Sequence, residues 1–336
     1  MDRRSFLLLT GAALTTPAHE WLIARGAEDT GRRTGRVVTA AYADHLDTIT
    51  DRLRRMDDRV GGGSLAEKVR VQIDQVTSLM DNGSYTDSIG RRLHATTAEL
   101  LRLAGWLNFD AGRHREARSY FVAALRAAHI AGDRELAANV LGFMSCQAKD
   151  LGNLDDAINL ADTAISGYRG ANPRVSAILH MRAAQAYANT GDVTETRRSI
   201  DAAYSAFRDA DEDAGPAWSY WLDEAQINEQ IGYCYLRLND WSRATSHMRK
   251  AVQLHREPYS REGALRLALL ADVYAQQGEP EQACRLGHQA LDTLAVEVNS
   301  ARCVGHVRQV SEHLRPYRRT AVAQDFDERL RQLAAA

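Results

Sequence analysis

Along most of this chain, small and apolar residues return at fixed distances on either side of a Gly or an Asn. The best-marked points are Gly112, Gly152, Gly191, Asn239 and Gly278, each followed by a short polar stretch, as in Gly152-Asn153-Leu154-Asp155-Asp156-Ala157. Gly and Asn best tolerate the left-handed backbone that closes a helix C-terminus, so one helix should end at each point and another begin. Seven residues before these points stand Gly105, Ser145, Ala184, Gly232 and Ala271; twelve after them stand Ala124, Ala164, Ala203, Ala251 and Ala290. Small residues at matched places on two antiparallel helices let their backbones approach closely. Larger apolar side chains fill the remaining inward places, with Phe121, Ile200 and Met248 nine after the turn and Tyr187, Tyr235 and Tyr274 four before it. The pattern predicts stacked helix pairs.

The turn residues are 40, 39, 48 and 39 positions apart, and the longest interval contains an insertion, residues 209–216, that reads as an exposed acidic loop. Gly83-Ser84-Tyr85, with Ser88 and Ala95, reads as a degenerate earlier unit paired with an amphipathic helix near Leu65 to Met80. Residues 299–335 read as a last helix pair interrupted at Pro316, and atypical terminal units are normal in a stack. This block of small residue, Tyr, Gly turn, Ala, aromatic and Ala resembles the tetratricopeptide repeat over roughly residues 65–335. The resemblance implies an all-α fold, a tetratricopeptide-like α-solenoid of antiparallel helix pairs in a right-handed superhelix. A period near 40 exceeds the usual repeat of about 34 and predicts longer helices. The expected organisation is an N-terminal segment over residues 1–34 and a single repeat domain over residues 35–335.

Apolar residues at 45% and charged residues at 26% are values of an ordinary globular chain. A formal charge of −2 offers no field that would draw the molecule onto nucleic acid. Arg52-Leu53-Arg54-Arg55, Arg91-Arg92 and Arg315-Pro316-Tyr317-Arg318-Arg319 have acids nearby, among them Asp57, Asp58, Glu312 and Asp325, and read as solvated faces. Cys146, Cys234, Cys284 and Cys303 are widely spaced and read as buried free thiols.

Arg3-Arg4, the apolar run that follows Ser5, and the small residues Thr16 and Ala18 resemble a twin-arginine export signal. A wider resemblance competes with it. Met1-Asp2-Arg3-Arg4 through Pro17-Ala18-His19-Glu20-Trp21-Leu22, Arg55-Met56-Asp57-Asp58 with Gly61-Gly62-Gly63, Gly142-Phe143-Met144-Ser145-Cys146-Gln147, and Cys303-Val304-Gly305-His306-Val307-Arg308 are similar to the C-terminal sensor half of actinobacterial regulators. In that family a helix-turn-helix DNA-binding domain precedes such a segment. The resemblance implies a cytoplasmic regulatory role, with the DNA-binding part either encoded upstream of Met1 or absent from a stand-alone sensor. Direct nucleic-acid binding by this chain alone is not expected, nor is a membrane span; a homodimer is compatible with the array.

In such stacks the first helix of each pair lines the concave surface, and projecting those helices marks four stripes. They contain Glu99, Arg102, Trp106 and Asp110; Asn139, Phe143, Cys146, Lys149 and Asp150; Met181, Arg182, Gln185 and Asn189; and Gln226, Glu229, Tyr233 and Arg237. From them we take Arg102, Trp106, Phe143, Lys149, Arg182, Gln185, Glu229, Tyr233 and Arg237 as candidate partner-binding residues. Planar side chains offer contact area, while Arg and amides supply directional hydrogen bonds for a peptide, a protein segment or a small polar effector. A solvated helix face with paired charges is the plainer account of the same residues. Trp218-Ser219-Tyr220-Trp221 reads as packing at the start of a long helix, with a lid over the groove as the alternative, and Trp241 as a staple at a helix entrance.

Chemistry has little support. No HExxH, Walker loop, GxSxG or metal-spaced His/Cys set occurs, and Gly61-Gly62-Gly63-Ser64 lacks a phosphate-binding Lys and reads as a loop with Ser64 as N-cap. His114, His180 and His306 read as satisfied surface or core residues, and Asp155-Asp156 as first-turn carboxylates favoured by the helix dipole. No catalytic residue, metal or cofactor is expected. The expected function is a non-catalytic sensor or adaptor in transcriptional regulation; the alternative is an exported structural or assembly protein using the same groove.

Overall fold

The computed structural model describes residue 31 and residues 35–60, 62–211, 215–255, 260–296 and 300–335. Both N-terminal resemblances over residues 1–34 therefore lie almost wholly outside the described residues. Among those described, fourteen α-helices follow one another: α1 (Ala40–Val60), α2 (Gly62–Asn82), α3 (Asp87–Asp110), α4 (His114–Ala131), α5 (Arg134–Asp150), α6 (Leu154–Gly167), α7 (Pro173–Thr190), α8 (Val193–Arg208), α9 (Glu224–Arg237), α10 (Trp241–Leu254), α11 (Arg261–Gln277), α12 (Pro280–Val296), α13 (Ala301–His313) and α14 (Ala321–Ala335). From α3 onward they follow one another as antiparallel pairs, the helical-repeat arrangement that the spacing predicts. None is long and apolar enough to cross a membrane.

All five turn residues adopt the left-handed conformation, with φ between 59° at Asn239 and 81° at Gly191. All ten small packing residues are buried. A Cβ on Gly105 would stand 2.5 Å from the Phe121 ring, and one on Gly232 would stand 2.8 Å from Met248, so in these two pairs the large residue nine after the turn fills the space left by the glycine seven before it. Ser145 makes the same approach with a bond, its Oγ donating to the Ala157 carbonyl at 2.7 Å. The four cysteines are buried, and none of them is in a disulfide among the described residues.

The lengthened period has two sources rather than one. α5, α7 and α11 run to 17 or 18 residues, but α9 and α10 have only 14 each. Connecting segments such as residues 168–172 supply the rest.

Four local expectations are corrected. Gly83 is not a left-handed turn: Gly83–Ser84 (β2) pairs in parallel with Arg36–Val37 (β1), and a Cβ there would meet the Leu79 carbonyl oxygen at 2.5 Å. The amphipathic helix expected near Leu65 to Met80 is α2, but Ser88 and Ala95 lie on α3, which is already the first helix of the pair turned at Gly112, so the proposed earlier unit has no second helix of its own. Ser64 falls within the first turn of α2 rather than at its cap, because that helix begins at Gly62. Trp218 is buried in a short 3-10 turn, Ala217–Ser219, and the following helix starts only at Glu224, where Asp223 caps it through the Gln226 amide at 2.7 Å. Trp241 is the first residue of α10 behind the cap Asp240, not the residue before a cap that a staple requires. Pro316 sits in a 3-10 turn between α13 and α14, as an interruption of the last pair should.

The described residues group into two compact units, one of residues up to 55, 64–109 and 113–220, the other of residues 56–63, 110–112 and from 221 onward. In the first, Val38, Leu46, Leu65, Val69, Val76, Leu93, Leu100 and Leu107 build a core under α1, α2 and α3. The second has a core of its own centred on α11, including Leu265, Leu269, Val273, Met248, Val307 and Phe326.

Candidate functional site

In the first unit the candidate residues converge on Phe143. α5 carries it: Asp133 caps that helix by accepting from the Leu136 amide at 2.9 Å, and Gly152 terminates the turn behind it. α7 is set in place by Asn172, whose side chain accepts from the Arg174 and Val175 amides with Pro173 at the first helical position. The Arg102 guanidinium lies 5.1 Å from the Phe143 ring centre and that of Arg182 lies 5.3 Å from it. Trp106 meets the same ring edge-on at 5.3 Å, and Phe121 stacks at 6.1 Å. Two cations over one aromatic ring gain from its quadrupole when they are withdrawn from water; Arg102 and Arg182 are 5% and 9% exposed.

Arg182 also donates from Nη1 to the Cys146 sulfur at 3.0 Å, and the Cys146 thiol faces Gln185 Oε1 at 3.8 Å. The arginine stem runs across Gly142, where a Cβ would meet its Cγ at 3.2 Å. Asn139, one turn before Phe143 on the same face, is 1% exposed, and among the described residues neither its Oδ1 nor its Nδ2 finds a hydrogen-bond partner. Buried amides left so are uncommon. Lys149 lies apart from this set, paired with Asp150 at the end of α5. Nearby, burial lowers the His114 pKa against the pull of Asp150, which keeps the imidazole neutral.

The second unit holds Glu229, Tyr233 and Arg237 in three different settings. Glu229 Oε2 accepts from Arg266 Nε at 3.0 Å, and Gln226 bridges the two, receiving from Arg266 at 3.0 Å and donating to Glu229 at 3.2 Å. Burial pushes the Glu229 carboxyl up to about 7, against the opposing pull of the Arg266 charge. Tyr233 is half-buried against the core, and Arg237 is exposed at the end of α9. Arg237 is felt electrostatically by His313, which is paired with Asp272. Arg266 was missed by the projection although it is the one charge in the run Ala264-Leu265-Arg266-Leu267-Ala268-Leu269-Leu270, a position where a charge needs a partner. Asp110, taken as a stripe residue, is fully buried and receives Ser300 Oγ at 2.9 Å and Arg302 Nε at 3.3 Å within this unit.

A tetratricopeptide-repeat family profile matches residues 267–301, from Leu267 within α11 through α12 to the first residue of α13. A search of the curated proteins finds no match. Among solved structures the chain is similar to BtubC (BKLC) from P. vanneervenii, with 16% identity and a TM-score of 0.47 over 68% of this chain and 89% of that one. It is also similar to the apo form of the quorum sensor NprR from B. thuringiensis, with 13% identity and a TM-score of 0.46 over 87% of each chain.

Proposed function

We propose that the chain is a non-catalytic sensor or adaptor, built as one helical-repeat domain over residues 35–335, that binds a peptide, a protein segment or a small polar effector in a transcriptional-regulatory setting. The observation that carries this reading is the cluster around Phe143. Arg102, Trp106 and Arg182 come from two other helices to one ring, Gln185 faces the neighbouring Cys146, and Asn139 on the same helix has hydrogen-bonding capacity to offer. An amide with a donor and an acceptor, flanked by guanidinium groups and aromatic faces, is suited to a polar planar group such as a peptide unit or a carboxylate. The role is recognition, and the sensor reading assigns no reaction to these side chains.

The test is affinity capture from native lysate, with bound proteins and small molecules both identified. Wild type is run beside Arg182→Ala, Trp106→Ala and, on an outward face, Asp201→Ala. The expected result is a partner retained by wild type and Asp201→Ala and lost from the other two, with helicity unchanged in all four. A partner retained by every variant would remove the Phe143 cluster as the binding site.

A further inference from the structure

In the second unit we infer a further binding site: a cavity shaped for an anionic amphiphile, a single acyl chain ended by a carboxylate or phosphate. The inference does not rest on the Phe143 cluster. α10 and α12 each pack against α11, and together they flank a stripe of that helix at Leu267, Leu270 and Tyr274. The space so left is about 480 Å³, within the range of small-ligand pockets and too small to bed a folded partner.

Its walls sort by chemistry. Val252 from α10 and Leu286 from α12 complete an apolar floor with Leu267 and Leu270. The rim carries Arg249 and Arg285 among glutamines, and no acidic residue lines the cavity. Arg249 is held over the floor, its Nε donating to the Tyr274 hydroxyl at 2.7 Å, and Arg285 donates to Gln282 Oε1 at 2.8 Å. Both partners are neutral. Among the described residues neither guanidinium meets a carboxylate, so both charges are available to an anion.

A second open space of about 580 Å³ adjoins the first through the shared residues Arg249 and Gln253, and its character is the opposite. Ser242, Thr245 and Ser246 present hydroxyls, and Lys250 lies among them, ion-paired to Glu224 at 2.5 Å. An apolar trough thus opens, past a cation, onto a polar strip in which the Thr245 hydroxyl already donates to the Trp241 carbonyl at 2.8 Å, leaving Ser242 and Ser246 to face a ligand. A ligand that satisfies both ends has an alkyl body for the trough and an anionic oxygen head at Arg249, where charge-assisted hydrogen bonds are strongest.

The experiment is calorimetric titration of the full chain with dodecanoate below its micelle concentration. Dodecyltrimethylammonium, inorganic phosphate and vesicles of phosphatidylglycerol are run in parallel. The expected result is saturable binding of dodecanoate at a single site and none of the cationic surfactant. Affinity should fall about tenfold or more in the double variant Arg249→Glu, Arg285→Glu, because a charge-assisted contact is replaced by repulsion. Val252→Trp should block the trough without touching either charge, and circular dichroism checks that both variants keep their helices. Arg182→Ala should bind dodecanoate like wild type, so failure of this inference and of the sensor reading are told apart. Absence of saturable binding, equal affinity for the cationic surfactant or for inorganic phosphate, or indifference to both variants would each overturn the site. Binding to vesicles without binding to the monomer would also overturn it, since a membrane surface would then be the ligand; binding to monomer alone identifies the free acid as the source, and binding to both extends it to lipid headgroups.

Discussion

Gly105 and Phe121 show how little room the repeat leaves at the level of one side chain. Phe121 is fully buried, so it cannot swing away from a methyl group placed 2.5 Å from its ring. Gly105→Ala should therefore destabilise the first unit by about 1–3 kcal/mol through overpacking, although alanine is the better helix former; urea unfolding followed by circular dichroism measures it, and an unchanged midpoint would show that the two helices can separate without cost. Glu229 makes a second residue-level case. Its carboxyl, raised from 4.5 to about 7 chiefly by burial, holds a proton in the folded state over a range where the unfolded chain has released it. Stability must then fall as pH rises from about 4.5 to about 7, by up to about 1.4 kcal/mol per pH unit. Glu229→Gln, permanently neutral and still able to accept from Arg266, should flatten that slope when melting temperature is recorded across the window; a slope equal to wild type would place the proton elsewhere. Of the site, Arg102, Phe143 and Arg182 were legible as candidates because they stand nine or ten residues before their turns, whereas their meeting at one ring is seen only in the packing. The Glu229–Arg266 pair was not, because its two members stand at different offsets on successive first helices, and only their burial shows that they must meet.

Helix boundaries follow from capping and turn chemistry more than from propensity. Asp133, Asp192, Asp223 and Asp240 each accept from a backbone amide two or three places into their helix. α9, at 14 residues, depends on such a cap more than longer helices do, since each end is a larger share of its hydrogen bonds. Asp223→Ala should cost about 1 kcal/mol in urea denaturation of the second unit, whereas Asp223→Asn, which keeps an acceptor, should cost less; equal losses would assign the effect to charge at the helix dipole rather than to the cap. The sequence periodicity located the paired helices from α3 to α12 because a left-handed residue and two small residues mark each of those five pairs, and the last pair, α13 and α14, through the interruption at Pro316. It misread Gly83, where the same residue type serves a close approach to the Leu79 carbonyl beside a short strand. It also misread Trp218, where aromatic bulk packs a 3-10 turn instead of opening a helix. In both places an identical composition supports two local conformations, and long-range packing chooses between them.

At the scale of the whole molecule, the stability of a repeat chain is a sum of units and of their interfaces, so parts can open without the rest. Each of the two compact units has a hydrophobic core of its own and carries a buried free thiol that reports on it. Cys146 belongs to the first, against Arg182; Cys284 and Cys303 belong to the second, where burial pushes their thiols up to about 11 and about 12. A thiol so raised is inert until the helices around it part, because the thiolate is the reactive form. Labelling with a thiol reagent at increasing urea should therefore show Cys303 silent until the second unit opens, with Cys146 becoming reactive at a different urea concentration. Arg182→Ala should advance Cys146 alone, since it removes the group that covers that sulfur, and leave Cys303 where it was. Simultaneous exposure of all the thiols at one denaturant concentration, in wild type and variant alike, would instead make the chain a single cooperative unit, and a ligand gripping the Phe143 cluster would then stabilise every helix pair rather than its own neighbours.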